Sequence, residues 1–98
     1  MEYADNRISL FSAQWGKCAV TGNEFNHLSE IVCHHIIPLA CGGADEYSNL
    51  VLVRDDIHKL IISTKTVVIE QYLNICNLNK DQLDKINFYR KKAGLATI

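Results

Sequence analysis

Residues 31–39 read Ile-Val-Cys-His-His-Ile-Ile-Pro-Leu, the densest β-favouring run in the chain. β-Branched side chains suit a pleated strand, and Pro38 closes the run because it has no N–H to give to a ladder. Cys41-Gly42-Gly43-Ala44-Asp45 follows as a loop that needs glycine to turn. Leu50-Val51-Leu52-Val53 is a second strand. Asp55 or Asp56 then opens a helix carrying Ile57, His58, Leu60, Ile61 and Ile62. The centre of the chain is therefore strand, long loop, strand, helix.

Outward from this centre the patterning is helical. On the N-terminal side, Asp5 is placed to cap a helix over about residues 5–15. Its Ile8, Leu10, Phe11 and Trp15 are spaced for one apolar face, and Gly16 ends it. Lys17 to Val20 reads as a short strand, and Thr21-Gly22-Asn23 as a turn. On the C-terminal side a helix over about 65–75 turns Val68, Ile69, Tyr72 and Leu73 inward. Another over about 80–92 uses Leu83, Ile86 and Phe88 or Tyr89, and Gly94 stops it. Trp15, Phe11 and Tyr72 are assigned to the core. The expected class is α+β, one domain over residues 1–98 with its core at about 31–62.

Composition bounds the partners. A hydrophobic content of 48% with 21% charged residues is that of a globular chain. No apolar run reaches the roughly 18–20 residues that span a membrane. Met1-Glu2-Tyr3-Ala4-Asp5 lacks the pattern of a signal peptide, so a cytoplasmic location is expected. Ten Lys and Arg against eleven Asp and Glu leave a net charge of −1, which argues against strong nonspecific binding to nucleic acid. The basic residues cluster late, at Lys80, Lys85, Arg90, Lys91 and Lys92. A solvated helical face is the first reading of that cluster, and contact with a phosphate backbone the second. Cys18, Cys33, Cys41 and Cys76 contain no C-x-x-C pair. They read as reduced thiols, each a small buried hydrophobe.

The chemistry-bearing residues recur in a fixed order. His34 and His35 are adjacent near the end of a strand, where successive side chains point to opposite faces. If one faces a metal, the other can face reacting atoms. Asn49 precedes the second strand, and His58 lies on the helix beyond it. A lone histidine says little. A His-His pair, a Gly-Gly loop, an Asn-Leu strand start and a later helical His, in that order, say much more.

Cys33-His34-His35-Ile36-Ile37-Pro38, Gly42-Gly43, Asn49-Leu50 and His58-Lys59 resemble the signature of HNH nucleases, whose ββα-metal fold has this organisation. The likeness extends to the HNH domain at the C-terminal end of group II intron-encoded reverse transcriptase/maturases. It is carried there by Tyr3-Ala4-Asp5-Asn6-Arg7-Ile8-Ser9-Leu10, Gly16-Lys17-Cys18-Ala19-Val20-Thr21-Gly22 and the tail around Leu83 to Gly94. The resemblance implies a metal-dependent endonuclease that nicks DNA and leaves a 3′ hydroxyl and a 5′ phosphate. It implies His34 and His58 as metal ligands and His35 as the general base. Asn49 is implied as the residue that orients the base through loop hydrogen bonds. Arg54, Lys59, Lys91 and Lys92 are the candidate contacts to nucleic acid. The expected cofactor is one divalent ion, magnesium or manganese, with zinc or nickel also suited to imidazole in a crystal. DNA is the expected partner, with intron RNA and attached reverse transcriptase domains in the maturase setting.

Departures from the family pattern narrow the site. A third histidine one turn after the last ligand is replaced by Ile62, and two C-x-x-C pairs that hold a structural zinc are missing. A zinc drawn from Cys18, Cys33 and Cys41 is the minor reading. Asp45 and Glu46 are read as turn or capping residues, with an outer-sphere carboxylate as the alternative. His27 is read as a plain surface histidine. The competing function is a non-catalytic nucleic-acid-binding module on the same scaffold. The oligomeric state is open, as is the choice between an excised domain and a free-standing relative.

Overall fold

Alternation along two short strands divides the molecule into two packed faces. In the computed structural model, which describes the backbone of residues 2–98 and the side chains of residues 6–98, β1 (Ile31–His35) pairs antiparallel with β2 (Leu50–Arg54). Val32 lies opposite Val53, His34 opposite Val51 and His35 opposite Leu50. Side chains on a strand alternate between faces. Val51 and Val53, with Val32 and Ile36 beside them, accordingly join the larger core. Leu50 and Leu52, with Ile31 and Cys33, join a smaller one.

The larger core is closed by helices. Asp55 and Asp56 place two carboxylates in the first turn of α2 (Asp55–Ile62), where they favour the positive end of the helix. Ile57, Leu60 and Ile61, spaced three and four apart, form a fully buried stripe against the sheet. α3 (Thr66–Cys76) turns Ile69, Tyr72 and Leu73 toward this core, as their spacing predicts, and leaves Val67 and Ile75 exposed. α4 (Lys80–Lys92) starts at a capping box between Asn79 and Gln82. It contributes the fully buried Ile86 and ends before Gly94, whose φ of 79° needs no Cβ.

The smaller face is covered by α1 (Glu2–Ala13). This helix begins earlier and ends earlier than expected, and the side chain of Asp5, its expected cap, lies outside the described residues. Leu10 is buried against Leu50 and Leu52, but Ile8 and Trp15 are 70% and 83% exposed, so the expectation of a core Trp15 is corrected. Two strands offer too little sheet to cover the whole apolar face of a helix. Trp15 also falls beyond the helix, in a left-handed turn with φ of 57°. Lys17 to Val20 is not a strand either. Lys17 makes a single bridge to Glu24, while Cys18 and Val20 plug into the larger core. The free edge of β2 is satisfied by a side chain: Gln14 donates to Leu52 O and accepts from Leu52 N, while Ala19 N also donates to Leu52 O. The result is α+β with a ββα core, as expected.

Candidate active site

His34 is buried, 4% exposed, on the face of β1 that meets α2. α2 places His58 against it, with ring centroids 5.2 Å apart and planes at 65°. Tyr89 of α4 closes the other side, edge-on at 5.9 Å. Burial drives the His34 pKa down to about 4, helped by the neighbouring His58 and His35. Burial, and then the charge of Lys59, lowers His58 as well. Both rings are therefore neutral at physiological pH, the form in which imidazole binds a metal.

His34 Nε2 is buried and makes no hydrogen bond among the described residues. A buried polar atom without a partner is costly, and a ring nitrogen so placed fits a metal ligand. No group of three or more His, Cys, Asp or Glu side chains is arranged to share an ion among the described residues. His34 and His58 are two imidazoles brought side by side. Such a pair would leave positions on an ion for water and phosphate, which a closed structural centre does not. Of the cysteines, Cys18 is buried and accepts from Arg54 N, whereas Cys41 is exposed, contrary to the reading of every cysteine as a buried hydrophobe.

The loop between the strands is built around Asn49. Its Oδ1 accepts from Ile37 N at 2.8 Å, and its Nδ2 donates to Ile37 O at 3.0 Å and to Ala44 O at 2.9 Å. These bonds tie both ends of the loop to the start of β2. Gly43 sits inside this closure, where a Cβ would lie 1.8 Å from Ile37 O and 2.9 Å from Asn49 Nδ2. Only glycine fits there. Asn49 grips the loop backbone, while the side chain that reaches the His35 ring is Asp45. His35 Nε2 lies 2.5 Å from Asp45 Oδ1. The sequence reading favours a turn or capping role for Asp45, with a carboxylate near the site as the alternative.

These positions now bear on kinship. Residues 18–54 match the family model for HNH endonuclease. The match takes in His34, His35, Gly43, Asp45 and Asn49, and stops four residues short of His58. No curated protein and no solved structure matches the chain. The HNH match suggests a nuclease, of a kind that acts on DNA with a divalent metal, and the ββα core agrees with it.

The candidate nucleic-acid contacts are spread out. Lys59 is exposed, next to His58. Arg54 commits its Nε to Asp56 Oδ1 at 2.7 Å, which raises the guanidinium pKa and lowers that of the carboxylate against the effect of burial. Lys91 and Lys92 are exposed at the end of α4, with Lys92 Nζ 5.5 Å from the centre of the Phe88 ring. Arg90, grouped with them by sequence, is 3% exposed and does something else. It donates to Leu60 O, Ser63 O and Ala96 O, so its charge is spent on main-chain carbonyls. Tyr89 was visible in sequence only as an apolar contact of α4. A separate cleft of about 390 Å³ between α1 and β1, lined by Ile8, Phe11, Leu28, Ile31 and Leu52 among others, holds no group suited to hydrolysis. No helix among the described residues is long and apolar enough to cross a membrane.

Proposed function

We propose that this chain is a metal-dependent endonuclease that hydrolyses DNA phosphodiester bonds. The observation that carries the reading is His34, buried, neutral and with an Nε2 that makes no hydrogen bond among the described residues, beside the neutral His58. His34 and His58 are the residues that would hold a divalent ion, magnesium or manganese by the chemistry of nucleases. When bound, the ion supplies positive charge close to a phosphate oxygen. His35, on the next position of β1, takes a proton from a water lying in line with the scissile bond. The water oxygen bonds to phosphorus, the bond from phosphorus to the 3′ oxygen breaks, and that oxygen leaves with a proton from solvent. The products carry a 3′ hydroxyl and a 5′ phosphate. Asn49 keeps the loop closed so that His35 meets its water in one orientation. Lys59, Arg54, Lys91 and Lys92 are the proposed phosphate contacts.

The maturase setting extends this reading. The flanking residues that resemble the HNH domain of group II intron maturases motivate it, with nicking of a DNA strand to expose a priming 3′ hydroxyl for reverse transcription. A net charge of −1 fits a domain that borrows its affinity from attached basic domains or bound RNA. Tight binding of the isolated chain to a short duplex at physiological salt would sink that extension.

The test of the main reading is supercoiled-plasmid cleavage with magnesium, manganese or EDTA, beside His35→Ala. Metal-dependent nicking by the wild type, lost in the variant, is the expected result. Equal or absent cleavage in both returns the chain to the class of non-catalytic binding modules.

A further inference from the structure

The carboxylate beside His35 is placed by three separate parts of the chain. Asn49, at the start of β2, holds Ala44 O at 2.9 Å, one residue before it. Asn6 of α1, 39 residues away, donates to the main-chain oxygen of Asp45 itself at 3.1 Å. Gly43 lets the loop lie against Ile37 where a side chain would collide. Between them they present Asp45 Oδ1 to His35 Nε2 at 2.5 Å, a close contact between a ring nitrogen and a carboxylate. A turn-forming Asp normally spends its carboxylate on a backbone N–H a residue or two away. This one goes to a ring ten residues back. The Asp45 side chain is 51% exposed, and an ion pair that open to solvent adds little to stability. The arrangement therefore calls for an explanation in orientation rather than in folding.

We propose that Asp45 is the positioning residue of His35, a role that rests on the nuclease reading above. Asp45 accepts the proton carried on Nε2. In a neutral imidazole the lone pair then lies on Nδ1, which becomes the atom that takes the proton of the attacking water. When that proton arrives, the ring holds one proton on each nitrogen, with the Asp45 carboxylate facing Nε2. Asp45 thus fixes the tautomer, turns the ring and holds the imidazolium as it forms, while making no contact with the substrate.

The experiment uses the full chain and the variants Asp45→Ala, Asp45→Asn and Asp45→Glu, each first compared with the wild type by circular dichroism. Proton–nitrogen NMR of the imidazoles, recorded in EDTA, should show a His35 Nε2 proton far downfield of the ordinary ring range. It should vanish in Asp45→Ala and persist in Asp45→Glu. In plasmid cleavage with manganese, Asp45→Ala should lower kcat about 10- to 100-fold, the usual effect of losing the partner of an oriented histidine. The DNA concentration at half-saturation and the manganese titration should stay within about twofold. Asp45→Asn should fall nearly as far, because it keeps the shape but not the charge, and Asp45→Glu should recover part of the rate. A wild type that cleaves but lacks the downfield proton overturns this proposal and leaves the nuclease reading standing. So does an Asp45→Ala variant that cleaves at the wild-type rate. A wild type that shows the proton but cuts no DNA removes the nuclease reading while the Asp45–His35 pairing survives.

Discussion

His34 shows how a candidate site residue departs from the rules that govern an apolar core. The buried residues of the larger core cluster are apolar, yet His34, buried on the same face of β1, carries a nitrogen with no hydrogen bond among the described residues. Leaving such an atom dry costs on the order of 1–3 kcal/mol. His34→Leu should therefore stabilise the metal-free chain by about 1 kcal/mol, read as a higher urea midpoint, while removing manganese binding altogether. Denaturation in EDTA and a manganese titration measure the two effects. A variant that is less stable in EDTA would show that the imidazole is retained for packing rather than for a ligand. Gly43 makes the complementary point. Its place against Ile37 O allows no Cβ, so the loop that carries Asp45 exists in its closed form because one residue has no side chain.

At the scale of elements, the position of His58 depends on how α2 ends. The last carbonyls of a helix have no partners inside it, and here Arg90 from α4 supplies donors to Leu60 O and Ser63 O while also holding Ala96 O. One buried guanidinium ties α2, α4 and the C-terminal segment together. Arg90→Ala strands these acceptors and should cost about 2–4 kcal/mol, read as a fall in the urea midpoint. Arg90→Lys should recover little, since a point charge cannot reproduce the planar fork. A loss under about 0.5 kcal/mol in Arg90→Ala would mean that water replaces the guanidinium freely. Gln14 works the same way on the other side of the sheet, where its amide stands in for a missing third strand beside Leu52. α1 is thereby fixed at one end by Gln14 and near the other by Asn6, and through Asn6 it reaches the loop beside His35.

For the whole molecule, the lowered pKa values of His34 and His58 make stability depend on pH. His34 titrates near pH 4 when folded and near 6.5 when unfolded. As pH falls between those values, the unfolded chain takes up a proton that the folded chain refuses, so stability is lost with acidification. The metal-free protein should hold its stability above about pH 7 and lose on the order of 3 kcal/mol by about pH 4, from His34 alone. His58 acts in the same direction, and Asp56, whose pKa is also lowered, adds to the loss at still lower pH. Urea midpoints in EDTA at a series of pH values would show the slope. A flat profile from pH 7 to 4 would mean that the two rings stay solvated in the folded state.

The order of the elements was legible in the chain because it rests on local rules. β-Branched runs, a proline stop, paired glycines and apolar residues three and four apart are properties of neighbours in sequence. They located β1, β2, α2, α3 and α4 closely, and alternation alone put His34 and His35 on opposite faces. The resemblance to HNH nucleases named His34, His35, Asn49 and His58 as the candidate site residues. What the sequence could not show were the partnerships made across long stretches of chain. Arg90 reads as one more solvated cation until α2 is folded against it 30 residues away, and Gln14 as a surface amide until β2 arrives 38 residues later. Asp45 reads as a turn residue until the loop closes on His35. Trp15 failed in the opposite sense: its spacing belonged to an apolar face, but a two-stranded sheet is too narrow to cover that face. Local preference sets where the backbone bends and pairs. Which polar groups meet, and which apolar ones stay in water, is decided only when distant segments compete for the same small surface.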